Sequence, residues 1–476
     1  MLFTSTTFIF YFLPIILFSY FLLGRLRLFN ASQALLLIGS LFFYAWWNYA
    51  YLALLVTSIL VNFGLASLTA RVKKDPLGKA LLTLSIVFNL SLLGYFKYRD
   101  FFIENINILF GTEFTLLHII LPLAISFFSL QQIAYQVDRY QGKIASHSFM
   151  EYALFVSFFP QLIAGPIVHH KEMMTQFRQI ARRTLNPKNF SIGLHIFILG
   201  LAKKIVLADT FGLWANAGFD NMTTHNLLTS TLTALCYTFQ LYFDFSAYSD
   251  MAIGIAKMFN IDLPRNFNSP YKATNLIDFW RNWHMTLSRF LRDYLYIPLG
   301  GNRKGPHRKY INLFTTMVVC GIWHGATWNF VVFGIIHGLG LLINHFWQSF
   351  KRPMYAPLGW LSTFIFVAMG WVVFRAKDLT SAYQVLSGFF TLNGLDKVTI
   401  FNQLALISQS EFQIGILFML GFLVLGFILV LCTPNLNSIQ DQSQPKRASL
   451  ILAGACVCLV LTYATSNNQQ FLYFNF

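Results

Sequence analysis

The stretch FQIGILFMLGFLVLGFILVLC, residues 412–432, contains no charged side chain. An apolar helix of about 20 residues spans the hydrocarbon core of a bilayer. Charged residues make up only 11% of the chain and hydrophobic residues 56%, whereas soluble domains are about 25% charged. The apolar runs are continuous rather than alternating, so we interpret them as helices whose backbone is hydrogen-bonded internally. The composition thus indicates a polytopic membrane protein and excludes a soluble, disordered, collagen-like or disulfide-scaffold chain.

Apolar runs of similar length recur along the chain. They predict spans near residues 7–24, 32–47, 49–69, 80–96, 115–135, 190–207, 227–245, 310–323, 327–347, 358–374, 412–432 and 448–465. The run at 149–168 contains Pro160, Gly165 and Pro166, which predicts a broken or re-entrant segment covered by protein or water. We therefore expect a single all-α membrane domain over residues 1–476, with about 11–13 transmembrane or re-entrant helices.

The net charge of +16 is concentrated in short segments between the apolar runs. Positively charged loops stay in the cytoplasm. This places the basic segments near residues 25–27, 71–79, 171–188, 351–352 and 446–447 inside, and both chain termini outside. Lys97 and Arg99 fall on the wrong side of this scheme. Anionic lipid headgroups or an anionic cytosolic substrate are the partners that such a face would attract, and nucleic acid is not expected.

The segment from Asn275 to Tyr296 is too charged to span a membrane. Its apolar residues repeat at helical spacing, Asn275 and Asp278 form an N-cap pair, and Pro298 ends the pattern. This predicts an amphipathic helix in the plane of the cytoplasmic membrane interface. The helix is either purely structural or part of an entrance for an anionic substrate. His284 lies on the same predicted helix face as Trp280. It is either a hydrogen-bonded structural residue or a catalytic one.

His324 lies in the motif CGIWHGATW, residues 320–328, inside an apolar run. An ionisable residue at membrane depth is costly and therefore suggests function. A buried neutral imidazole can accept a proton from a hydroxyl as a general base. Gly321 and Gly325 are expected to leave room for a substrate. The alternative is a hydrogen bond between helices.

Asp244 and Asp250, in YFDFSAYSD, also require partners near the membrane, and Arg265 or Arg281 could neutralise them. They either form an ion pair that fixes the fold or act directly. His169 and His170 lack further residues at metal-ligand spacing, so no metal is predicted. No phosphate-binding or dinucleotide motif occurs, and we expect no bound cofactor. The five cysteines are interpreted as small buried hydrophobes.

Five motifs follow one another in the second half of the chain: YTFQLYFDFSAYSDMAIG (237–254), RNFNSPY (265–271), FWRNWHMTLS (279–288), RDYLYIPLGGNRKG (292–305) and GIWHGATW (321–328). Together they resemble the membrane-bound O-acyltransferase family, and within it the bacterial alginate O-acetylase (AlgI-like) branch. The core of the resemblance runs over residues 160–337. It departs from the branch pattern at Ala247, where Gly is usual, and at Asn282 and His169, where Arg is common.

The resemblance implies a bundle of helices around a central tunnel that donor and acceptor enter from opposite faces. It places the catalytic histidine at His324 and a second marked residue at His284. It implies tunnel or positioning roles for Gln161, Asp244, Asp250, Arg281, Trp283, Trp323 and Gly325.

The implied activity is transfer of an acetyl group from a cytosolic thioester, acetyl-CoA or another acyl thioester, across the bacterial inner membrane. The first expectation for the product is an O-acetylated exported polysaccharide similar to alginate. The alternative end products of the same chemistry are peptidoglycan, cellulose and D-alanylated teichoic acid. The implied partners are a periplasmic or membrane-tethered acetyltransferase and membrane lipid. The non-enzymatic alternative is a proton-coupled transporter or channel.

The sequence ends in FLYFNF, residues 471–476, within a tail (466–476) that the charge pattern places outside. This ending resembles the aromatic C-terminal motif of the small membrane peptide of the teichoic acid D-alanylation system. The resemblance implies that Tyr473 receives the acyl group and passes it on. The alternative is an aromatic anchor in the membrane interface.

Overall fold

A computed structural model describes residues 1–72, 76–144, 147–351, 354–394, 396–410, 412–436, 453–458 and 471–472. All regular elements within these ranges are helical, and no β-strand occurs in them. The α-helices are α1 (Leu13–Arg25), α2 (Phe29–Ala45), α3 (Tyr49–Val72), α4 (Pro76–Leu93), α5 (Arg99–Phe110), α6 (Ile125–Tyr140), α7 (Phe149–Ser157), α8 (Phe159–Leu162), α9 (His170–Arg178), α10 (Pro187–Ala202), α11 (Asp209–Asn216), α12 (Leu227–Met258), α13 (Leu276–Asn282), α14 (Met285–Leu291), α15 (Gly305–His324), α16 (Trp328–Ser349), α17 (Ala356–Arg375), α18 (Leu379–Gly388), α19 (Lys397–Ser408) and α20 (Gln413–Cys432).

Several helices contain or adjoin π-helical turns, and two short segments are 3-10 helices. The π-helical segments are Phe8–Phe12, Gly94–Tyr98, Lys203–Ala208, Ala217–Asn221 and Arg292–Tyr296, and the 3-10 segments are Ile180–Arg183 and Pro270–Lys272.

Seven helices in the described part of the chain are long and apolar enough to cross a membrane: Phe8–Arg25, Tyr49–Val72, Pro76–Phe110, Pro187–Asn221, Trp328–Ser349, Ala356–Arg375 and Gln413–Cys432. α2 is apolar but shorter. Large apolar side chains such as Ile414 and Leu417 on α20 are exposed, as expected for a surface that faces lipid. The all-α polytopic class is confirmed. The count of 11–13 helices and the tunnel stay predictions, and most of the predicted span 448–465 lies outside the described residues.

The helix predicted over residues 115–135 begins only at Ile125, and residues 112–122 are irregular. The carboxylate of Asp100 accepts hydrogen bonds from the backbone N–H of Leu117 (3.2 Å) and of His118 (2.7 Å). His118 also has left-handed backbone geometry, with φ of 47°. These bonds offer the backbone an alternative to a helix, so the helix predicted from the apolar pattern is wrong over residues 115–124.

The segment predicted to be broken, residues 149–168, is interrupted and buried. α7 ends at Ser157, the four-residue α8 follows, and the chain is then irregular up to His170. The Nε2 atom of Gln161 donates to the carbonyl of Phe155 at 2.8 Å, which supplies one partner to the interrupted backbone. Surrounding protein covers this backbone, as it must at membrane depth.

The chain forms two compact units. Among the described residues, the first comprises those within 1–199 and 248–265 together with residue 453, and the second comprises those within 200–247, 266–436, 454–458 and 471–472. The chain passes from one to the other within α10 and within α12. The core of the first unit includes the fully buried rings of Phe8, Phe43 and Phe159. The single domain predicted over residues 1–476 stays a prediction.

Candidate active site

A tight pair of helices in the second unit carries His324. α15 ends at this residue, and α16 begins after a short turn that contains Gly325. A Cβ atom on Gly321 would lie 2.8 Å from the Cα of Gly334, so the two helices touch at their glycines. A Cβ on Gly325 would overlap the ring of Phe330. The expectation that these glycines leave room for a substrate is therefore wrong, because neighbouring protein fills that room.

His324 itself is 5% exposed and is surrounded by aromatic rings. Its ring lies 4.9 Å from that of Trp323, 5.2 Å from that of Phe374 and 6.4 Å from that of Phe333, measured between centroids. Such walls exclude water, which strengthens the electrostatic interactions of a reacting group. The environment suits a histidine that handles a proton during a reaction.

The predicted amphipathic helix around His284 is not continuous. α13 ends at Asn282 and α14 begins at Met285, with His284 between them in left-handed geometry (φ 44°). The reason is a neighbouring segment: the N–H of Met285 donates to the carbonyl of Asn266 (2.8 Å), and the N–H of Asn268 donates to that of Asn282 (3.0 Å). The predicted N-cap is confirmed, since Asn275 accepts from the N–H of Asp278 at 2.9 Å.

The hydrogen bonds of His284 define its tautomer. Its Nδ1 lies 3.0 Å from Oδ1 of Asn266, and the same oxygen accepts from the hydroxyl of Thr286 at 2.9 Å. An amide oxygen only accepts, so Nδ1 carries the proton and Nε2 is the basic nitrogen. Burial lowers the pKa of His284 to about 3. His284 is thus a neutral imidazole near pH 7.

The two histidines share a ring neighbour. The ring of Trp323, which lies 4.9 Å from His324, lies 6.5 Å from His284. Phe245 on α12 meets His284 edge-on at 4.8 Å. The structure therefore brings His284, Trp323 and His324 together in one aromatic cluster, which we call the aromatic pocket, while their roles in catalysis stay predictions. Trp283 is buried beside it, stacked among Phe279 and Trp371.

Asp244 lies next to Phe245, and its carboxylate is 1% exposed. Its partner is Lys204, whose Nζ lies 2.7 Å from Asp244 and 2.5 Å from Asp209. The expectation that Arg265 or Arg281 neutralises Asp244 is wrong for this carboxylate. Lys204 and Asp209 were missed in the sequence, although two lysines inside the predicted span 190–207 were the signal for a buried charge.

The other predicted site residues lie elsewhere. The side chain of Arg281 is 74% exposed and pairs with Asp278 at 3.2 Å, so it does not contribute to the aromatic pocket. Gln161 and Asp250 are buried within the first unit. Tyr473 lies outside the described residues, but the two residues before it, Phe471 and Leu472, are described and contact Phe245 and Asp244.

A third residue joins the histidine pair of the first unit. Asp138 on α6 lies 2.8 Å from Nε2 of His169 and 3.5 Å from Nδ1 of His170, and Lys143 lies 3.3 Å from its other oxygen. The ligand atoms of these three residues all lie within 4.8 Å of one another. No third ligand was evident in the sequence, because Asp138 is distant along the chain. Since Asp138 already pairs with Lys143 and lies beside both histidines, we interpret the cluster as a polar network around one ion pair, and the absence of a metal stays a prediction.

Comparison with known proteins assigns the family. The model of the membrane-bound O-acyltransferase family matches residues 140–386, just over half of the chain. The chain belongs to the membrane-bound O-acyltransferase family. The match contains α12 through α17 and both histidines of the aromatic pocket, and the resemblance drawn from the motifs is confirmed.

Three relatives illustrate the range of the family around this chain. A peptidoglycan O-acetyltransferase of Helicobacter pylori is 43% identical, over 100% of this chain and 98% of the relative. A probable alginate O-acetylase AlgI of Pseudomonas aeruginosa is 40% identical, over 90% of this chain and 81% of the relative. A teichoic acid D-alanyltransferase of Streptococcus thermophilus is 30% identical over 49% of this chain and 59% of the relative. The protein is therefore a multi-pass membrane enzyme that transfers acyl groups to oxygen.

Proposed function

We propose that this membrane-bound O-acyltransferase takes an acetyl group from cytosolic acetyl-CoA and delivers it across the bacterial inner membrane for O-acetylation of an exported polysaccharide. The observation that carries the proposal is the aromatic pocket in which buried His284 and His324 share Trp323. The basic residues assigned to the cytoplasmic face would attract the phosphates of the donor.

In the proposed reaction, His324 acts as the general base. An acceptor hydroxyl loses its proton to His324 while its oxygen bonds to the thioester carbonyl carbon. The carbon–sulfur bond then breaks, and the leaving thiolate recovers the proton from the imidazolium. Nε2 of His284, held basic by the bond between Nδ1 and Asn266, orients the reacting hydroxyl.

We propose Tyr473 as that first acceptor. An acetylated tyrosine would split one transfer across the membrane into two steps. The position of Phe471 supports this, because it packs on Phe245, the ring that also contacts His284. A periplasmic or membrane-tethered acetyltransferase would then move the acetyl group to the polysaccharide. If Tyr473 is only an interfacial anchor, the polysaccharide hydroxyl or a partner's nucleophile is the first acceptor.

Two polysaccharides are the leading acceptors. Alginate O-acetylases are represented by several relatives at 40–42% identity. The match to the peptidoglycan O-acetyltransferase, however, runs over essentially both full lengths, which favours peptidoglycan. An aminoacyl donor, as in the teichoic acid relatives, would require a carrier protein instead of acetyl-CoA.

The test is acetyl transfer from radiolabelled acetyl-CoA to the purified full-length protein in lipid nanodiscs. We expect label on the wild type and a fall of about 10²–10⁴-fold in the labelling rate for His324→Ala, the range for loss of a general base. Tyr473→Phe should abolish labelling, because it removes the accepting oxygen. His345→Ala, a half-buried histidine on α16, is the control.

The outcomes separate the alternatives. Labelling that survives His324→Ala would overturn the proposed general base. Loss in His324→Ala but not in Tyr473→Phe would keep the enzyme and move the acceptor elsewhere. Wild-type protein that neither becomes labelled nor consumes acetyl-CoA, with partner protein and polysaccharide present, would overturn acetyl-CoA as the donor.

A further inference from the structure

Three titratable side chains, which the proposed mechanism does not use, are buried together in the second unit. Lys204 lies between Asp209 and Asp244 and is paired with both. All three residues are at most 5% exposed. Two buried carboxyl groups beside one cation have more acceptor atoms than that cation can satisfy, and a buried acceptor without a partner is costly. The arrangement therefore requires another hydrogen-bond donor at the carboxylates.

That donor comes from the end of the sequence. The backbone N–H of Leu472 donates to Oδ2 of Asp244 at 2.9 Å, while Lys204 approaches the other oxygen, Oδ1. The preceding residue, Phe471, is only 3% exposed, and its ring lies 6.2 Å from that of Phe245. A hydrogen bond from a backbone N–H to an ionised carboxylate is stronger than a neutral one. The C-terminal segment is thus bound by a buried charge on one side and an aromatic ring on the other.

We propose that Lys204, Asp209 and Asp244 form a binding site for the chain's own C-terminal segment, which we call the Asp244 latch, and that Asp244 is a positioning residue for acyl transfer. The latch rests on the proposed function in one respect: the residue it positions is Tyr473. That residue follows Leu472 directly in the sequence. Phe245, which contacts both Phe471 and His284, links the latch to the aromatic pocket.

The chemistry of the latch determines which sequences it accepts. The hydrogen bond from residue 472 to Asp244 comes from the main-chain N–H and not from the side chain of that residue. The identity of residue 472 therefore matters little, provided that it has an N–H. Proline is the exception, because it lacks that donor. Lys204 pairs with Asp244 and with Asp209. Because Lys204 has two carboxylate partners, Asp244 can be altered and Lys204 still pairs with Asp209.

The test compares variants of the full-length protein at both ends of one hydrogen bond. Leu472→Pro removes the donor, Leu472→Ala keeps it, and Asp244→Asn removes the charge of the acceptor. Asp220→Asn neutralises a carboxylate of the same unit that pairs with Arg375 and is the control. The rate of acetyl labelling is measured for each, and amide hydrogen exchange is followed at Leu472 by mass spectrometry of the C-terminal peptide.

We expect Leu472→Pro to label at least tenfold more slowly than Leu472→Ala, and Asp244→Asn to label at least tenfold more slowly than Asp220→Asn. The double variant Asp244→Asn with Leu472→Pro should be no slower than the slower single variant, since both remove one interaction. The amide of Leu472 should exchange slowly in the wild type and in Asp220→Asn, and at least tenfold faster in Asp244→Asn.

Equal labelling rates for Leu472→Pro and Leu472→Ala would overturn the positioning role, and fast exchange at Leu472 in the wild type would overturn the binding site itself. Because Leu472→Pro changes only the terminal segment, its result does not depend on whether Asp244→Asn folds. The exchange measurement needs no acetyl donor. If acetyl-CoA proves not to be the donor, slow exchange that is lost in Asp244→Asn would still support the latch.

Discussion

At the scale of single residues, the hydrogen bond between Asn266 and His284 controls the protonation of the second histidine. With its pKa lowered to about 3, His284 stays neutral from pH 5 to 8 and adds no inflection to the pH–rate profile there. Asn266→Asp would place a carboxylate against Nδ1 and raise the pKa of His284. Because activity needs the neutral imidazole, we expect the variant to lose activity as the pH falls through that raised pKa. The measurement is kcat/KM between pH 5 and 8.

The matched control is Asn268→Asp, since Asn268 is an exposed asparagine of the same segment and pairs with Asn282. Its pH profile should follow that of the wild type. Superimposable profiles for Asn266→Asp and the wild type would show that the protonation of His284 does not limit the reaction.

The chemistry of individual residues explains which site residues could be predicted from the sequence. His324 could be predicted from the sequence, because a lone ionisable group in an apolar run is costly to bury and therefore indicates function. The partner of Asp244 could not be predicted, because Lys204 and the amide of Leu472 are far from it along the chain and only the fold brings them together. Arg281 was predicted as a partner of the buried aspartates from its charge alone, but it forms a salt bridge with the nearby carboxylate of Asp278 at the surface.

At the scale of helices, the contact between α15 and α16 depends on the absence of side chains at Gly321 and Gly334. A methyl group on Gly321 would meet the backbone of α16, which cannot move aside as a side chain can. We expect Gly321→Ala to cost about 1–3 kcal/mol of unfolding free energy, as overpacking usually does. Thermal unfolding in detergent, followed by circular dichroism, measures the shift.

Gly421→Ala on α20 is the comparison, because nothing lies within 4 Å of the methyl group it would add. Alanine is the better helix former by roughly 0.5–1 kcal/mol, so this variant should melt at the same temperature as the wild type or higher. A Gly321→Ala variant as stable as Gly421→Ala would contradict the close packing of the two helices.

Periodicity predicted most helices well and failed at two places for the same reason. Around His284 and in residues 112–122, the apolar pattern suited a helix, but hydrogen bonds from elsewhere in the chain competed with the helical ones. The groups that accept these competing hydrogen bonds are the carbonyl of Asn266 and the carboxylate of Asp100. Helix propensity is local, whereas such bonds depend on tertiary structure, so a pattern within one segment could not reveal them.

At the scale of the whole molecule, the distribution of lysine and arginine fixes the proposed orientation in the membrane. Lys79 lies in a basic segment assigned to the cytoplasm, and Thr380, on α18, lies between the predicted spans 358–374 and 412–432, where the alternation of spans places the chain outside. Both residues are exposed. In a cysteine-free background, Thr380→Cys should react with a membrane-impermeant maleimide on intact spheroplasts, and Lys79→Cys should react only after lysis.

The reverse labelling pattern would invert the topology and place the C-terminal tail in the cytoplasm. Labelling of both positions after lysis, quantified on the same samples, controls for their intrinsic reactivity. The orientation also bears on the acyl relay, because an outward tail is required for Tyr473 to hand an acetyl group to a periplasmic protein.

The π-helical stretch Lys203–Ala208 sets the spacing between Lys204 and Asp209. A π turn holds one residue more than an α turn, and each residue of an α-helix advances about 100° around the axis. Removing a single residue from this stretch would restore an ordinary α turn and leave the lysine and the aspartate four residues apart, which keeps them on one face of the helix. A one-residue gap at this point of an alignment would thus mark the loss of the wide turn and not the loss of the buried charge pair.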